Sequence, residues 1–459
     1  MRSNFILFSL FAGKDNFPTL FVLYYYLRFC ATLGYSVCMP ETYTQFSRSF
    51  RLVCRHAHCA LVEDFLREQA FAFEAEAFSP LAHRLLAEPF PLGASLASVF
   101  GYIYIQDRSS MLPSLALNPP PGAAVLDMCA SPGSKTSLLA HLVGEKGFVL
   151  ANEPNPKRLA TLRRNLSRLN LLQTGTCSFS GERIPMPPAS WEYIQLDPPC
   201  SGWGTEEKHP KIRELWKDSK IRPLAQLQRR LLKEAARLLA PGGRLVYSTC
   251  TTNPEENEAQ VRFALEELGL VLLPLHPFAG FSFDKPAPGA EGSLLIRNHV
   301  SGAQGFFLAL LTKSGSGETL LRPSAPTPAC TLSLHLLSPG ALEEACAQLP
   351  PGETVLSGEK ICFLPKLGLE RLPAGLRWQG CILGKMYGGH AHLSPRLHRL
   401  LPPIPGRDDL NLDSIAPLAD LLAGRSLEAP RHGKQLFLYW RGLPLARLSV
   451  KGSRALLSQ

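Results

Sequence analysis

Two cysteines occupy positions where chemistry can be done. Cys200 follows Asp-Pro-Pro in YIQLDPPCSGWG (Tyr193–Gly204), and Cys250 follows the apolar run LVYST in RLVYSTCTTNPEENE. The two prolines remove backbone donors and stiffen the chain, so Cys200 sits on a rigid turn just past a strand-like run. A thiol so mounted suits a zinc site, a disulfide, a reactive group or an inert small residue, the commonest fate of a cysteine. Cys250 precedes Pro254-Glu255-Glu256, which reads as a helix start. The two strand-like runs flank one long helical segment. In a parallel sheet, both thiols then rise above the same edge. Zinc needs two further ligands that the neighbouring sequence does not offer. The twelve cysteines are scattered and contain no C-x-x-C pair, which reads as cytosolic thiols, not a disulfide framework. A reactive pair fits the placement best, because a thiolate is a strong nucleophile at modest pKa.

A second constellation is VLDMCASPGSKTSLLAHL, a small-residue loop between a strand and a helix. Within the run Cys129, Ala130, Ser131, Pro132, Gly133, Ser134 and Lys135, the small residues Ala130, Ser131, Gly133 and Ser134 let a ligand approach the backbone, and the helix N-terminus offers N–H groups to a carboxylate. The loop is neither G-x-G-x-x-G nor a P-loop. Glu153 ends the next strand, where an acid can bind both ribose hydroxyls. Asp197 ends a further parallel strand on the same side. Together they describe a nucleoside pocket. The plain alternative is an ordinary strand–helix turn with solvated acids.

The elements that must position these groups alternate. Strands AAVLDM, GFVLANE, YIQLD and RLVYST are interleaved with helices SKTSLLAHLV, PKRLATLRRNLSRLN, IRPLAQLQRRLLKEAARLLA (closed by PGG) and PEENEAQVRFALEELG. GLVLLPL and GFFLALL are available to close the sheet. Short apolar strands alternating with amphipathic helices predict a parallel α/β sheet covered on both faces. Before it, residues 39–113 read as helical with short extended pieces, including helices in EDFLREQAFAFEAEAF and SPLAHRLLAEPF. After the sheet, SGSGETLLRPSAPTP reads as a linker over 314–328. Residues 329–459 follow, dense in Arg and His, with strand signals ETVLSG, KICFLP and QLFLYW. Residues 1–38 carry an apolar, aromatic stretch interrupted by Arg28. It is marginal as a span and lacks a cleavage signal, so it is expected to be an extension before a start at Met39. CRHAHC (Cys54–Cys59) is metal-like but matches no common zinc spacing.

The chain has 459 residues, 45% of them hydrophobic, which is enough for a sizeable core in two to four domains. Its formal net charge of +10 is compatible with a nucleic-acid partner.

DPPCSG, STCT and PEEN together resemble the Nop/Sun family of RNA cytosine-carbon-5 methyltransferases. LDMCASPGSKT, QRRLLKEAARLLAPGGRLVYSTC, QDRSSM (Gln106–Met111) and QGFFLALL (Gln304–Leu311) extend the likeness in family order over roughly residues 100–313. The tail, with RWQGCILGKMYGGHAHLSPRLHRLL and YWRGLPLARLSVKG, more weakly resembles the PUA-type RNA-binding tail of the bacterial ribosomal-RNA members. The resemblance implies a Rossmann-like S-adenosylmethionine-dependent catalytic domain at 114–313, an N-terminal RNA-binding subdomain at 39–113 and a PUA-like region at 329–459. It implies Cys250 as nucleophile, Cys200 as the thiol that helps release product, and Asp197 as the acid near cofactor and target base, with Lys135 a candidate partner for Asp197 or the base. The Cys129–Lys135 loop and Glu153 are implied as cofactor contacts. The family reads CAAPGGKT where this chain has CASPGSKT, a small-for-small change. Where the family has an acid near adenine, this chain has CSFSGE, leaving Ser180 as a weaker contact. The expected protein is a cytoplasmic monomer without a metal or membrane anchor. It acts on RNA, with ribosomal favoured over transfer RNA.

The rivals differ in their residues. Amino-group methyltransferases place an aromatic residue after D/N-P-P, where this chain has Cys200. DNA cytosine methyltransferases use the Pro-Cys thiol alone and leave STC unexplained. A non-enzymatic assembly factor would not need both thiols and a near-complete loop.

Overall fold

The computed structural model describes residues 48–206, 209, 211–215, 218–315, 335–336, 349–430 and 435–457. The apolar N-terminal stretch and nearly all of the expected linker lie outside them.

The centre is a ten-stranded sheet. Its parallel part comprises β5 (Ala124–Asp127), β6 (Phe148–Asn152), β7 (Thr174–Cys177), β8 (Trp191–Leu196) and β9 (Leu239–Thr249), in the spatial order β7-β6-β5-β8-β9. Apart from β7 (TGTC), these runs are largely apolar, because helices cover both faces. Leu126 and Met128 pack with Leu231, Leu232 and Ala235 of a long helix on one face. Val125 packs with Leu139, Ala140, Leu162 and Leu166 of two helices on the other. The order reverses at β5, and in open α/β sheets the crevice at the carboxyl ends beside such a reversal receives ligands. β10 (Leu270–Leu273) and β13 (Phe306–Lys313) close the sheet antiparallel, with Phe307 opposite Thr249. β11 (Phe283–Asp284) and β12 (Leu294–Ile296) extend the same edge.

Six helices matter here: α1 (Cys59–Arg67), α2 (Arg108–Leu117), α3 (Ser134–Val143), α4 (Pro156–Arg168), α5 (Asp218–Leu238) and α6 (Glu258–Glu266). Asn155 caps α4, accepting from the N–H groups of Lys157 and Arg158, with Pro156 at the first turn. The expected helix stop at PGG is different in the structure. Leu239 already enters β9, and Pro241-Gly242-Gly243 is carried within that strand. Strand pairing with β8, Trp191 opposite Leu239, outweighs the local turn signal there.

The N-terminal subdomain corrects the helical reading. It is a four-stranded antiparallel sheet, β2-β3-β1-β4, made of β1 (Ser49–Leu52), β2 (Ala72–Glu76), β3 (Ser79–Ala87) and β4 (Ile103–Ile105). Only the first part of EDFLREQAFAFEAEAF is helical, as α1. The chain turns at Ala70, whose φ is +62°, and returns as β2. SPLAHRLLA is β3, with His83 opposite Phe50 of β1. Apolar spacing in SPLAHRLLA satisfies either period. The decision comes from pairing with β1, about thirty residues away in sequence.

From residue 335 onward the chain builds two further sheets, and its strands reach back into the rest. β14 (His335–Leu336), β15 (Gly352–Ser357), β16 (Lys360–Pro365), β18 (Cys381–Tyr387) and β19 (His390–Leu393) form one. β20 (Leu410–Leu412), β21 (Leu427–Glu428), β22 (Gln435–Trp440), β23 (Leu443–Lys451) and β24 (Arg454–Leu456) form the other. Between the members of the first, β17 (Trp378–Gln379) pairs with β7 at the edge of the central sheet. The last sheet packs on the N-terminal one: Phe65, Leu66, Tyr102, Leu436, Leu438, Trp440 and Leu445 share one core. The Phe65 and Trp440 rings are 4.8 Å apart, and Tyr102 donates its hydroxyl to the Pro444 carbonyl.

Candidate active site at the carboxyl edge of the central sheet

Four groups converge where β8 and β9 end. Asp197 is the first residue past β8, and Cys250 the first past β9. Cys200 returns on the Pro198-Pro199 turn so that its Sγ lies 3.2 Å from Sγ of Cys250. Lys135, in the first turn of α3, donates to Asp197 Oδ2 at 2.7 Å. Ser248 of β9 donates its hydroxyl to Asp197 Oδ1 at 2.8 Å. Lys135 also lies 5.3 Å over the ring of buried Phe306. The SGWG turn is pressed against Cys250: Gly204 N–H donates to the Cys250 carbonyl at 3.0 Å, and Gly305 N–H to the Gly204 carbonyl at 2.9 Å. A Cβ on Gly204 would collide with the Gly305 and Cys250 backbone, so only glycine permits this approach.

The two thiols are electrostatically unequal. The hydrogen bond from Cys200 lowers the Cys250 pKa; burial and Asp197 oppose this, while Lys135 reinforces it, and the net shift is downward. For Cys200 the same bond, then burial, then the negative groups around it all push the pKa well up. Cys250 is therefore the thiolate-prone partner of the two. For Lys135, burial opposes the ammonium, but the charge and hydrogen bond of Asp197 outweigh it and raise its pKa.

The other side of the crevice is built from the neighbouring strand ends. The Ser131–Pro132 peptide is cis, and Gly133 has φ +103°, a conformation that favours glycine as the chain enters α3. The first N–H groups of α3 have no acceptor within the helix and face the loop side. Glu153, only 2% exposed, accepts from Asn155 N–H at 2.9 Å, and Arg158 Nε stands 3.4 Å from its other oxygen. Arg158 also donates to the Ser131 carbonyl at 3.1 Å and so ties Glu153 to the loop. Ser180 is exposed, three residues beyond β7. The Cys129 thiol is pushed up in pKa by burial and the nearby acids, which fits contact by backbone and packing, not reactivity.

Three residues central to this arrangement lack an individual signal in the sequence. Asn152 donates its amide to the carbonyls of Met128 (3.1 Å) and Phe179 (3.0 Å), fastening three strand ends together. Asp127, 1% exposed, accepts from the Thr136 hydroxyl at 2.6 Å; burial raises its pKa to about 6. Glu256, expected only as part of a helix start, is fully buried beneath the Cys200 turn. Position in LDM and PEEN was the available hint; their partners come from distant strands.

CRHAHC does not lie at this site. Its Cys54 and Cys59 sulfurs are 3.7 Å apart in the N-terminal subdomain. Among the described residues no group of three His, Cys, Asp or Glu side chains is arranged to hold a metal. No helix among them is long and apolar enough to cross a membrane.

Known proteins match this chain in sequence and in fold. Residues 114–312 match the family model described as 16S rRNA methyltransferase RsmB/F. The chain is 39% identical to "Ribosomal RNA small subunit methyltransferase F" of Cronobacter sakazakii over 242 residues, which are 52% of this chain and 50% of that protein. The chain thus spans about half the length of the curated relatives it matches. A solved methyltransferase homolog protein from Pyrococcus horikoshii is 31% identical, with TM-score 0.51, covering 65% of this chain and all (100%) of that one. NSun6 from the same organism, solved with SFG, shares the fold at 20% identity and TM-score 0.51, covering 65% of this chain and 98% of that one. The central sheet therefore has the Rossmann-like fold of S-adenosylmethionine-dependent methyltransferases. The buried carboxylate of Glu153, the open helix N-terminus and the small-residue loop are a donor set that fits that cofactor. The chain covers the whole of a methyltransferase homolog at 31% identity and belongs to that methyltransferase family, with residues 114–312 matching the 16S rRNA methyltransferase RsmB/F model.

Proposed function

We propose that the protein transfers a methyl group from S-adenosylmethionine to carbon 5 of a cytosine in small-subunit ribosomal RNA, through a covalent bond between Cys250 and the base. The observation that carries this reading is the 3.2 Å pair of unequal thiols beside the Lys135–Asp197 ion pair.

Carbon 5 of cytosine is a poor nucleophile. Attack of the Cys250 thiolate on carbon 6 pushes electron density to carbon 5, so one hard step becomes two easier ones. Asp197, held by Lys135 and Ser248, is fixed to accept from the exocyclic amine, and with a proton shared between it and ring nitrogen 3 it stabilises the charge that develops there during attack. The cofactor supplies an electrophilic sulfonium methyl. Glu153 and the loop Cys129, Ala130, Ser131, Pro132, Gly133 and Ser134 would hold it, with Ser180 toward the adenine. Release then needs the carbon-5 proton to pass to water. The electron pair of that C–H bond restores the 5,6 double bond, and the carbon 6–sulfur pair returns to Cys250. Cys200, which keeps its proton and bonds to the Cys250 sulfur, stabilises that sulfur as it leaves.

The base must be unstacked to reach these groups, which favours looped or single-stranded RNA. The tail supports docking on a narrower surface than its composition suggests. Arg371 is paired with Glu192, Arg441 with Glu68, and Arg399 lies near Glu145, so these serve internal packing. Lys385, Tyr387, His390 and His392 stand exposed on the β18–β19 hairpin, a fit for phosphate and base stacking. The ribosomal target follows the names of the curated relatives.

The test is a denaturing gel with labelled RNA and S-adenosylmethionine. Cys250→Ser should give neither methylation nor adduct. Cys200→Ala should methylate yet accumulate a denaturant-resistant protein–RNA adduct, which vanishes in the double variant. An adduct in Cys250→Ser instead would reverse the roles of the thiols.

A further inference from the structure

Glu256 is fully buried, and its carboxylate is encircled by donors from both thiol-bearing loops. Oε1 accepts from the Ser201 N–H at 2.9 Å and the Gln228 side-chain amide at 3.0 Å. Oε2 accepts from the Ser201 hydroxyl and, at 3.4 Å, from the Asn253 amide. The Ser201 hydroxyl is in turn 2.8 Å from that of Thr251. Gln228, on α5, also donates to the Pro199 carbonyl at 3.0 Å. The residues on both sides of Cys200 are therefore gripped, Pro199 by Gln228 and Ser201 by Glu256. The same carboxylate holds the loop that follows Cys250. Its own backbone is anchored by the Tyr247 hydroxyl, which donates to the Glu256 carbonyl at 2.6 Å.

We propose that Glu256 is a positioning residue that clamps the Cys200 turn onto the Cys250 loop, and so sets the thiol contact through which the covalent RNA intermediate is released. This rests on the reading of Cys200 given above. Glu256 touches neither thiol by hydrogen bond and so acts through Ser201 and Gln228.

The chemistry of the site explains why a carboxylate stands there. Every partner donates: an N–H, an O–H and two amide NH2 groups. An ionised carboxylate accepts only, and bonds to a charged acceptor are the strong ones. A glutamine would turn one NH2 toward these donors. Gln228 can answer by flipping, since its Oε1 has no partner in the site, but the flip takes its NH2 away from Pro199. Either way one side of the Cys200 grip is lost while the fold around it is nearly isosteric.

The experiment compares wild type, Glu256→Gln, Glu256→Asp and Cys200→Ala in the same adduct gel, with single-turnover methylation and thermal melting measured in parallel. Glu256→Gln should behave as a partial copy of Cys200→Ala. Methyl transfer in the first turnover is kept, release is slowed, and adduct rises about ten-fold or more over wild type. Glu256→Asp, still accepting only, should lie between the two. A merely structural role predicts methylation and adduct falling together, in proportion to folded protein, and that result overturns the proposal. So does wild-type turnover in Glu256→Gln. If Glu256→Gln does not fold, Ser201→Ala, which removes one leg of the same clamp, is judged by the same criterion. If Cys200→Ala forms no adduct while wild type methylates, the reading of Cys200 has failed, and the proposal falls with it.

Discussion

Lys135 Nζ and Asp197 Oδ2 lie 2.7 Å apart, and this ion pair joins the first turn of α3 to the end of β8, the strand paired with β9, after which Cys250 stands. The carboxylate is thus committed on one oxygen to Lys135 and on the other to Ser248. Its orientation is fixed before any base arrives, which is the condition for preorganised electrostatic stabilisation.

Replacing Lys135 by Met should therefore act on the thiol as well as on the acid. Asp197 would be left without its counter-charge, and Cys250 would lose a neighbour that favours its thiolate. The midpoint of Cys250 alkylation by iodoacetamide should move to higher pH, and the apparent activation free energy of methylation should rise by about 1–3 kcal/mol. An unmoved alkylation profile would remove Lys135 from the thiol's electrostatics.

Asp127 should leave a mark on stability. Burial raises its pKa from 3.8 to about 6 in the folded protein, so the fold prefers the neutral acid. The sign is that of a raised group: its contribution is full below pH 3.8 and is lost as pH rises through about 6. Asp127→Asn cannot titrate. Going from about pH 3.5 to pH 7, wild type should lose about 3 kcal/mol relative to the variant, two units at about 1.4 kcal/mol each. Urea titrations of both proteins at the two pH values measure it, and a constant difference would contradict it.

On the exposed hairpin, Lys385→Glu combined with Tyr387→Ala should weaken RNA binding without changing S-adenosylmethionine affinity. Loss of one phosphate contact should flatten the slope of log affinity against log salt by about 0.7–0.9. Filter binding across a salt series decides; an unchanged slope would show that this hairpin does not meet phosphate. Deleting the whole region is a poorer probe, because Trp440, Leu436 and Leu445 complete the core of the N-terminal sheet.

What the sequence determined by itself is the local part of this architecture. Alternating short apolar runs and amphipathic segments specify strands and helices, and in a parallel sheet every strand delivers its carboxyl end to one edge. Cys200, Cys250, Asp197, Glu153 and the Cys129–Lys135 loop follow an apolar strand within a few residues, so their common edge was legible from order alone. Tertiary structure decided the rest. SPLAHRLLA has no local preference strong enough to be a strand; its partner Phe50 in β1 made it one. The ends of the chain share a core although hundreds of residues separate Phe65 from Trp440. Glu256 looked like a helix-start acid, and only folding brought Ser201, Gln228 and Asn253 around it. Periodicity reports what a segment prefers with its neighbours in sequence. Which donors surround a buried carboxylate is settled by pairings whose cost and gain are spread over distant segments, and these leave no pattern at any one of them.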